Sequence, residues 1–216
     1  MKTIDSVLTA ARRELGTTEL PANSNRVKYN TWFYGREVSG AAYPWCMVFV
    51  QWCFHEAGAS DLLPTRTASC GALMRAAQEA GCWVTQDFRP GDIVIYDFTG
   101  KRRGTEHTGI VETVDASGVT AIEGNTSTAG SQSNGGMVCR KTRKSQLITG
   151  AVRPKYAEPL ELDNTPSPAH KEGVAWAQSH GILRGTAAGD LMLSQPVTRQ
   201  QLCTMLHNFY KMLEAR

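Results

Sequence analysis

Apolar positions fall at helical spacing in the first third of the chain, at strand spacing in the middle, and at helical spacing again near the end. Ile4, Val7, Leu8, Ala11 and Leu15 form one face of an amphipathic helix stopped by Gly16. Cys46, Phe49, Val50, Cys53, Phe54 and Ala57 form a second stripe ending at Gly58. A third helix is predicted from Ser69, its N-cap, to Ala80, with Leu73, Ala76, Ala77 and Ala80 inward and Gly81 as its stop. Short strands follow near 92–97, 107–114, 119–123, 136–140 and 148–153. Helices first and a mostly antiparallel sheet second is an α+β order.

After Arg153 the pattern breaks. Residues 157–168 hold three prolines and three acids without any period, so 156–167 reads as a linker between a domain over 1–155 and a helical module over 168–216. In that module Ser167 and Pro168 open one helix and Gly181 follows its end. The next helix starts with a capping box, Thr198 with Gln201, and a staple, Val197 with Leu202. Its inward stripe is Leu202, Met205, Leu206, Phe209 and Leu213. Two helices of this size bury little apolar surface alone, so docking or self-association is expected.

Composition narrows the classes. The 216 residues carry a formal charge of +3, too little for a dedicated nucleic-acid binder. No run of about 18 apolar residues appears, so no membrane insertion is expected. The N-terminus lacks the apolar core of a secretion signal, which places synthesis in the cytoplasm. The six cysteines form no CxxC pair or zinc spacing and are expected to be reduced thiols. Neither His55 nor the tail histidines 170, 180 and 207 form a ligand set, and no cofactor or catalytic metal is expected; calcium is allowed only as a structural ion.

Four residues suggest chemistry. Cys46 falls in the first turn of its helix, where free N–H groups and the helix dipole favour a thiolate. His107 opens a strand and shares a side with Gly109 and Val111. Glu123 and Asn125 share a side of the next strand, and either is placed to orient the imidazole. A thiol, a base and an orienting group make the set that a cysteine acyl-transfer enzyme uses.

These blocks carry a resemblance. Trp45-Cys46 with Phe49-Val50 and Trp52, then Pro90-Gly91-Asp92-Ile93, His107-Thr108-Gly109-Ile110-Val111-Glu112 and Ile122-Glu123-Gly124-Asn125-Thr126 resemble the CHAP family of cysteine, histidine-dependent amidohydrolases and peptidases. Upstream, residues 19–25 and Trp32-Phe33-Tyr34-Gly35 resemble a loop of its phage and bacterial members. The resemblance implies a papain-like α+β fold and cleavage of an amide in bacterial peptidoglycan. It implies Cys46 as nucleophile, His107 as base, and Glu123 as orienting residue assisted by Asn125. Tyr43, Trp45 and Thr108 are assigned to the substrate groove, and the loop 129–136 is expected to border it. The expected activity is that of an endolysin, with N-acetylmuramoyl-L-alanine amidase favoured over endopeptidase; a non-catalytic wall-attached protein is the alternative. Ala175-Trp176-Ala177, Gly181-Ile182-Leu183-Arg184-Gly185 and Pro196-Val197-Thr198-Arg199-Gln200 resemble one S-layer homology repeat, which implies a cell-wall polymer or a second copy of the chain as partner.

Overall fold

The computed structural model describes residues 2–116, 118–129, 134–157, 162–187 and 189–214. The chain divides into two compact units, Met1–Glu158 and Pro159–Arg216.

The first unit opens with α1, Ile4–Arg13. Thr3 and Ser6 cap it reciprocally, each side chain accepting from the other's backbone N–H at 3.2 Å. Helix α2, Lys28–Tyr34, lies where the sequence reads as loop. It is short, rich in aromatic residues and has no side-chain cap, so nothing local announces it. Packing holds it instead: the buried Tyr29 ring sits 5.4 Å from that of Trp45, 5.3 Å from Phe49 and 5.6 Å from Trp52. Gly35 ends α2 with the left-handed φ of 68° that glycine adopts without strain.

Helix α3, Cys46–Glu56, is buried nearly all round rather than along one stripe; Met47, Val48 and Gln51 are inside as well. Helix α4 is Cys70–Glu79, with the Ser69 hydroxyl accepting from the Ala72 N–H at 3.2 Å. Its buried positions are Cys70, Leu73 and Ala77, while Ala80, expected inward, is exposed because the helix has already ended.

The strands are β1 (Trp83–Val84), β2 (Ile93–Tyr96), β3 (His107–Asp115), β4 (Gly118–Thr126), β5 (Met137–Arg143) and β6 (Ile148–Val152). They form one antiparallel sheet in the order β1-β6-β2-β3-β4-β5. Both faces are covered. Ile93, Ile95, Ile110, Ile122, Val138 and Val152 pack with the helices. Val94, Tyr96, Val111, Val119, Ala121, Ile148 and Ala151 make a second cluster. This alternation is what the pleat of a two-sided sheet requires. Helices packed on an antiparallel sheet fit the expected α+β class.

Two glycines let elements touch. A Cβ on Gly124 would lie 2.5 Å from the Phe49 Cβ and 2.8 Å from the Trp45 ring, so β4 meets the start of α3 backbone-on. A Cβ on Gly109 would lie 2.7 Å from the Glu123 Cγ, so the missing side chain makes room for that carboxylate.

In the second unit a 3-10 turn, Pro168–His170, leads into α5, Lys171–Ser179, and α6 is Arg199–Glu214. Ser167 makes no side-chain cap; its carbonyl accepts from the His170 N–H instead. The Thr198–Gln201 box is formed, at 2.8 and 3.2 Å. The stripe expected to face inward does not: Leu202, Leu206, Phe209 and Leu213 are all exposed, Leu206 at 58%. The expected linker is shared between the units. Tyr156 donates from its hydroxyl to the Gly91 carbonyl at 2.8 Å, and the Ala157 N–H donates to the Lys2 carbonyl. Asn164 accepts from the Leu191 N–H at 2.6 Å, and the Asp163 N–H donates to Asp190 at 2.9 Å. Residues 158–161 of the linker and 130–133 of the loop at 129–136 lie outside the described residues.

Candidate active site

The site begins at the first turn of α3. Trp45 is its N-cap and offers no side-chain acceptor to the free N–H groups of that turn. Cys46 follows, and the Met47 backbone N–H donates to its sulfur. Trp45 itself is fixed from behind: its indole Nε1 donates to Glu19 Oε1 at 2.8 Å, and Glu19 Oε2 accepts from the Asn25 N–H at 3.0 Å. Glu19 is 5% exposed, so a carboxylate held inside the fold pins the residue next to the thiol. The sequence showed Glu19 only as part of a loop.

His107 opens β3 and is fully buried. Its Nε2 meets Glu123 Oε2 at 3.0 Å. Its Nδ1 is buried and has no hydrogen-bond partner among the described residues. The Cys46 thiol and the imidazole act on one another's charge, the imidazolium lowering the thiol and the thiolate raising the imidazole. The Tyr96 ring stacks beside the imidazole at 6.0 Å, and the Phe98 ring stands at the same distance.

The charges in this pocket reinforce one another. A hydrogen bond from Cys70 holds the Cys46 thiol well below its ordinary range; burial opposes this, and the bond to His107 and its charge add to it. Burial pulls His107 down, but its bonds to Cys46 and Glu123 prevail and lift it to about 9. Glu123 is pushed up by burial, yet Arg143 and His107 hold it below the usual carboxylate value. Burial, then the Glu123 charge, push Tyr96 well up, so it stays a neutral phenol. Cys70 is likewise raised by its bond to Cys46 and by burial, and serves as the protonated donor. The lowered thiol and the raised imidazole both favour the thiolate–imidazolium form of the pair.

Arg143, at the end of β5, was not readable from the sequence. Its Nε donates to Glu123 Oε1 at 2.7 Å and its Nη2 to Oε2 at 2.6 Å. It stands opposite Val119, four positions along the ladder from Glu123, inside a run of basic residues that reads as a solvated edge. Only a long side chain laid over the Tyr96 and Phe98 rings, at 5.1 and 4.7 Å, spans that gap.

Of the remaining expected site residues, the structure separates several from the chemistry. Asn125 does not reach His107. A register shift after Glu123 and a left-handed φ of 57° at Asn125 break the alternation that put both on one side. Its Oδ1 accepts from the Gly136 N–H at 3.3 Å instead. Trp45 is fully buried against Glu19, and Thr108 is buried with its hydroxyl donating to the Val94 carbonyl at 2.8 Å, so neither lines an open groove. Tyr43 stays partly exposed, its ring edge-on to Tyr34 at 5.1 Å. Among the described residues, no group of three or more His, Cys, Asp or Glu side chains is placed to hold a metal. No helix among them is long and apolar enough to cross a membrane.

Residues 38–125 match the CHAP domain. The matched span contains Cys46, His107, Glu123 and Asn125, and stops short of Arg143. A solved structure described as "The crystal structure of Ly7917" is 18% identical, with a TM-score of 0.40, over 70% of this chain and 62% of that one. The chain thus spans less than two thirds of that structure's length. No curated protein matches.

Proposed function

We propose that the first unit is a cysteine-dependent peptidoglycan hydrolase with Cys46 as nucleophile, His107 as acid and base, and Glu123 as the residue that orients the imidazole. The observation that carries this reading is His107 held by Glu123 through Nε2, its Nδ1 buried and without a partner among the described residues, on a strand packed against the helix that Cys46 opens. The Cys46 thiolate attacks the amide carbonyl, and the Cys46 backbone N–H helps hold the oxyanion. The His107 imidazolium gives its proton to the leaving amine as the C–N bond breaks, leaving a thioester on the enzyme. The neutral imidazole then takes a proton from water, the hydroxide displaces sulfur, and the acid product leaves with the thiolate restored.

Of the candidate amides, the N-acetylmuramoyl-L-alanine bond is our preferred substrate, and an endolysin acting at the cell wall is the preferred biological role. The upstream loop's resemblance to phage and bacterial members supports that role. The second unit, through its resemblance to an S-layer homology repeat, is proposed to bind wall polymer or to pair copies of the chain.

The test is clearing of a purified wall suspension, followed by mass spectrometry of what is released. New N-terminal L-alanine on free stem peptides supports the amidase; new termini inside the peptide identify an endopeptidase. Walls left turbid by the folded parent protein refute the hydrolase.

A further inference from the structure

We propose that Arg143 is a positioning residue of the hydrolytic site, the group that keeps Glu123 ionised and aligned so that His107 faces Cys46. The inference rests on the cysteine-hydrolase reading and extends it to a residue beyond the matched CHAP span. Glu123 is fully buried, and Arg143 is only 7% exposed. A carboxylate so placed takes up a proton unless a cation and donors hold it. Arg143 supplies both through a two-pronged contact, and the oxygen taken by its Nη2 is the one that meets His107 Nε2. The rings of Tyr96 and Phe98 lie beside both the guanidinium and the imidazole. One pair of aromatic walls therefore fixes base and cation together.

Without Arg143 the buried Glu123 carboxyl gains a proton. A neutral carboxyl no longer stabilises an imidazolium, so His107 loses its proton more easily. The Cys46 thiolate then lacks its counter-charge, and the thiol ionises at higher pH. The titratable and charged groups facing this cluster are Cys46 from α3, Cys70 from α4, Tyr96 from β2, His107 from β3, Glu123 from β4, and Cys139 with Arg143 from β5. Tyr96 and Cys70 are acids that burial keeps neutral, and neither can carry the positive charge that is lost. A clamp that merely joined β4 to β5 would lower stability without moving the ionisation of a thiol on α3.

The experiment uses the full chain with Arg143→Gln and Arg143→Lys. The rate of Cys46 alkylation by iodoacetamide is followed across pH by mass spectrometry of the Cys46 peptide, which separates it from the other thiols. Wall clearing is measured in parallel at neutral pH. For Arg143→Gln the alkylation midpoint is expected to rise by about one pH unit or more, and clearing to fall about 10- to 100-fold. Arg143→Lys, which keeps the charge but not the fork, restores part of both. A folded Arg143→Gln protein with the parent's midpoint overturns the proposal. If that variant does not fold, Arg143→Lys decides: a raised midpoint supports the role, and parental values for both readouts overturn it. A parent that fails to clear walls while its Cys46 midpoint still follows Arg143 refutes the substrate reading and leaves the positioning role standing.

Discussion

The two units of this chain treat burial in opposite ways. In the first, Cys46, His107, Glu123 and Arg143 are charged or reactive and lie inside, each answered by a neighbour. In the second, Leu202, Leu206, Phe209 and Leu213 are apolar and lie outside. The contrast follows from size and from layers. A six-stranded sheet covered on both faces has room to remove charges from water and to supply their partners. A pair of short helices with a loop has no second layer, so an apolar face stays uncovered. Chemistry that depends on an unscreened ion pair belongs in the first setting. Association with a polymer or a second chain belongs in the second.

The sharpest way to break that contrast is at the thiol. Cys46→Ala is expected to leave the fold intact and reduce wall clearing by at least about 100-fold, given how much of the rate a nucleophile carries. Undiminished clearing by the mutant would move the chemistry elsewhere. The pH profile tests the same pair without a mutation. The reactive form needs Cys46 ionised and His107 protonated, and it exists between the lowered pKa of the thiol and the value of about 9 for the imidazole. Activity should therefore hold through neutral pH and fall as pH rises through about 9, when the proton owed to the leaving amine is lost. A fall already complete near 6.5, the ordinary histidine value, would mean that Glu123 and Cys46 do not hold the proton on His107.

The next test concerns the seam that brings helix and sheet together. Gly124→Ala places a methyl 2.5 Å from the Phe49 Cβ, against backbone-anchored neighbours on α3. Overpacking of this kind costs about 1 to 3 kcal/mol. Chemical denaturation should show a loss in that range, together with slower clearing, because displacing α3 moves Cys46 relative to His107. Parental stability would mean that β4 and α3 are not in contact at that point.

How far the sequence revealed this design depends on whether a signal is local. The α3 start, the β3 start and the Glu123 strand are local patterns, and they led to Cys46, His107 and Glu123. Five of the six strands were legible to within a few residues for the same reason, whereas the two-residue β1 was not. Helix α2 was not, because its reasons to be helical are rings contributed by α3. Asn125 was misplaced because a strand's period of two fails at a bulge, and nothing in the letters announces one. Trp45 was assigned to the groove because it adjoins the nucleophile, yet its partner Glu19 lies far away in sequence. Arg143 was hidden in a basic run whose other members, Arg140, Lys141 and Lys144, are exposed or half-buried. Pairings across distant strands are set by tertiary structure, and only there do such residues declare themselves.

The smallest expected effect lies on α6. If its apolar face is free in the isolated chain, Leu206→Glu exchanges one exposed side chain for another, and thermal stability should change by no more than about 0.5 kcal/mol. Gly124→Ala provides the scale on which that silence is judged. The same change should weaken whatever docks on this face, so wall retention or the self-association measured by analytical ultracentrifugation should drop while cleavage of a soluble muropeptide stays constant. Removing residues from Pro159 onward should reproduce the pattern with larger amplitude. A large loss of stability from Leu206→Glu would show the face to be covered within the chain itself. Equal losses on wall and soluble substrate would make the second unit a structural support for the first, and the division of labour between the two would have to be abandoned.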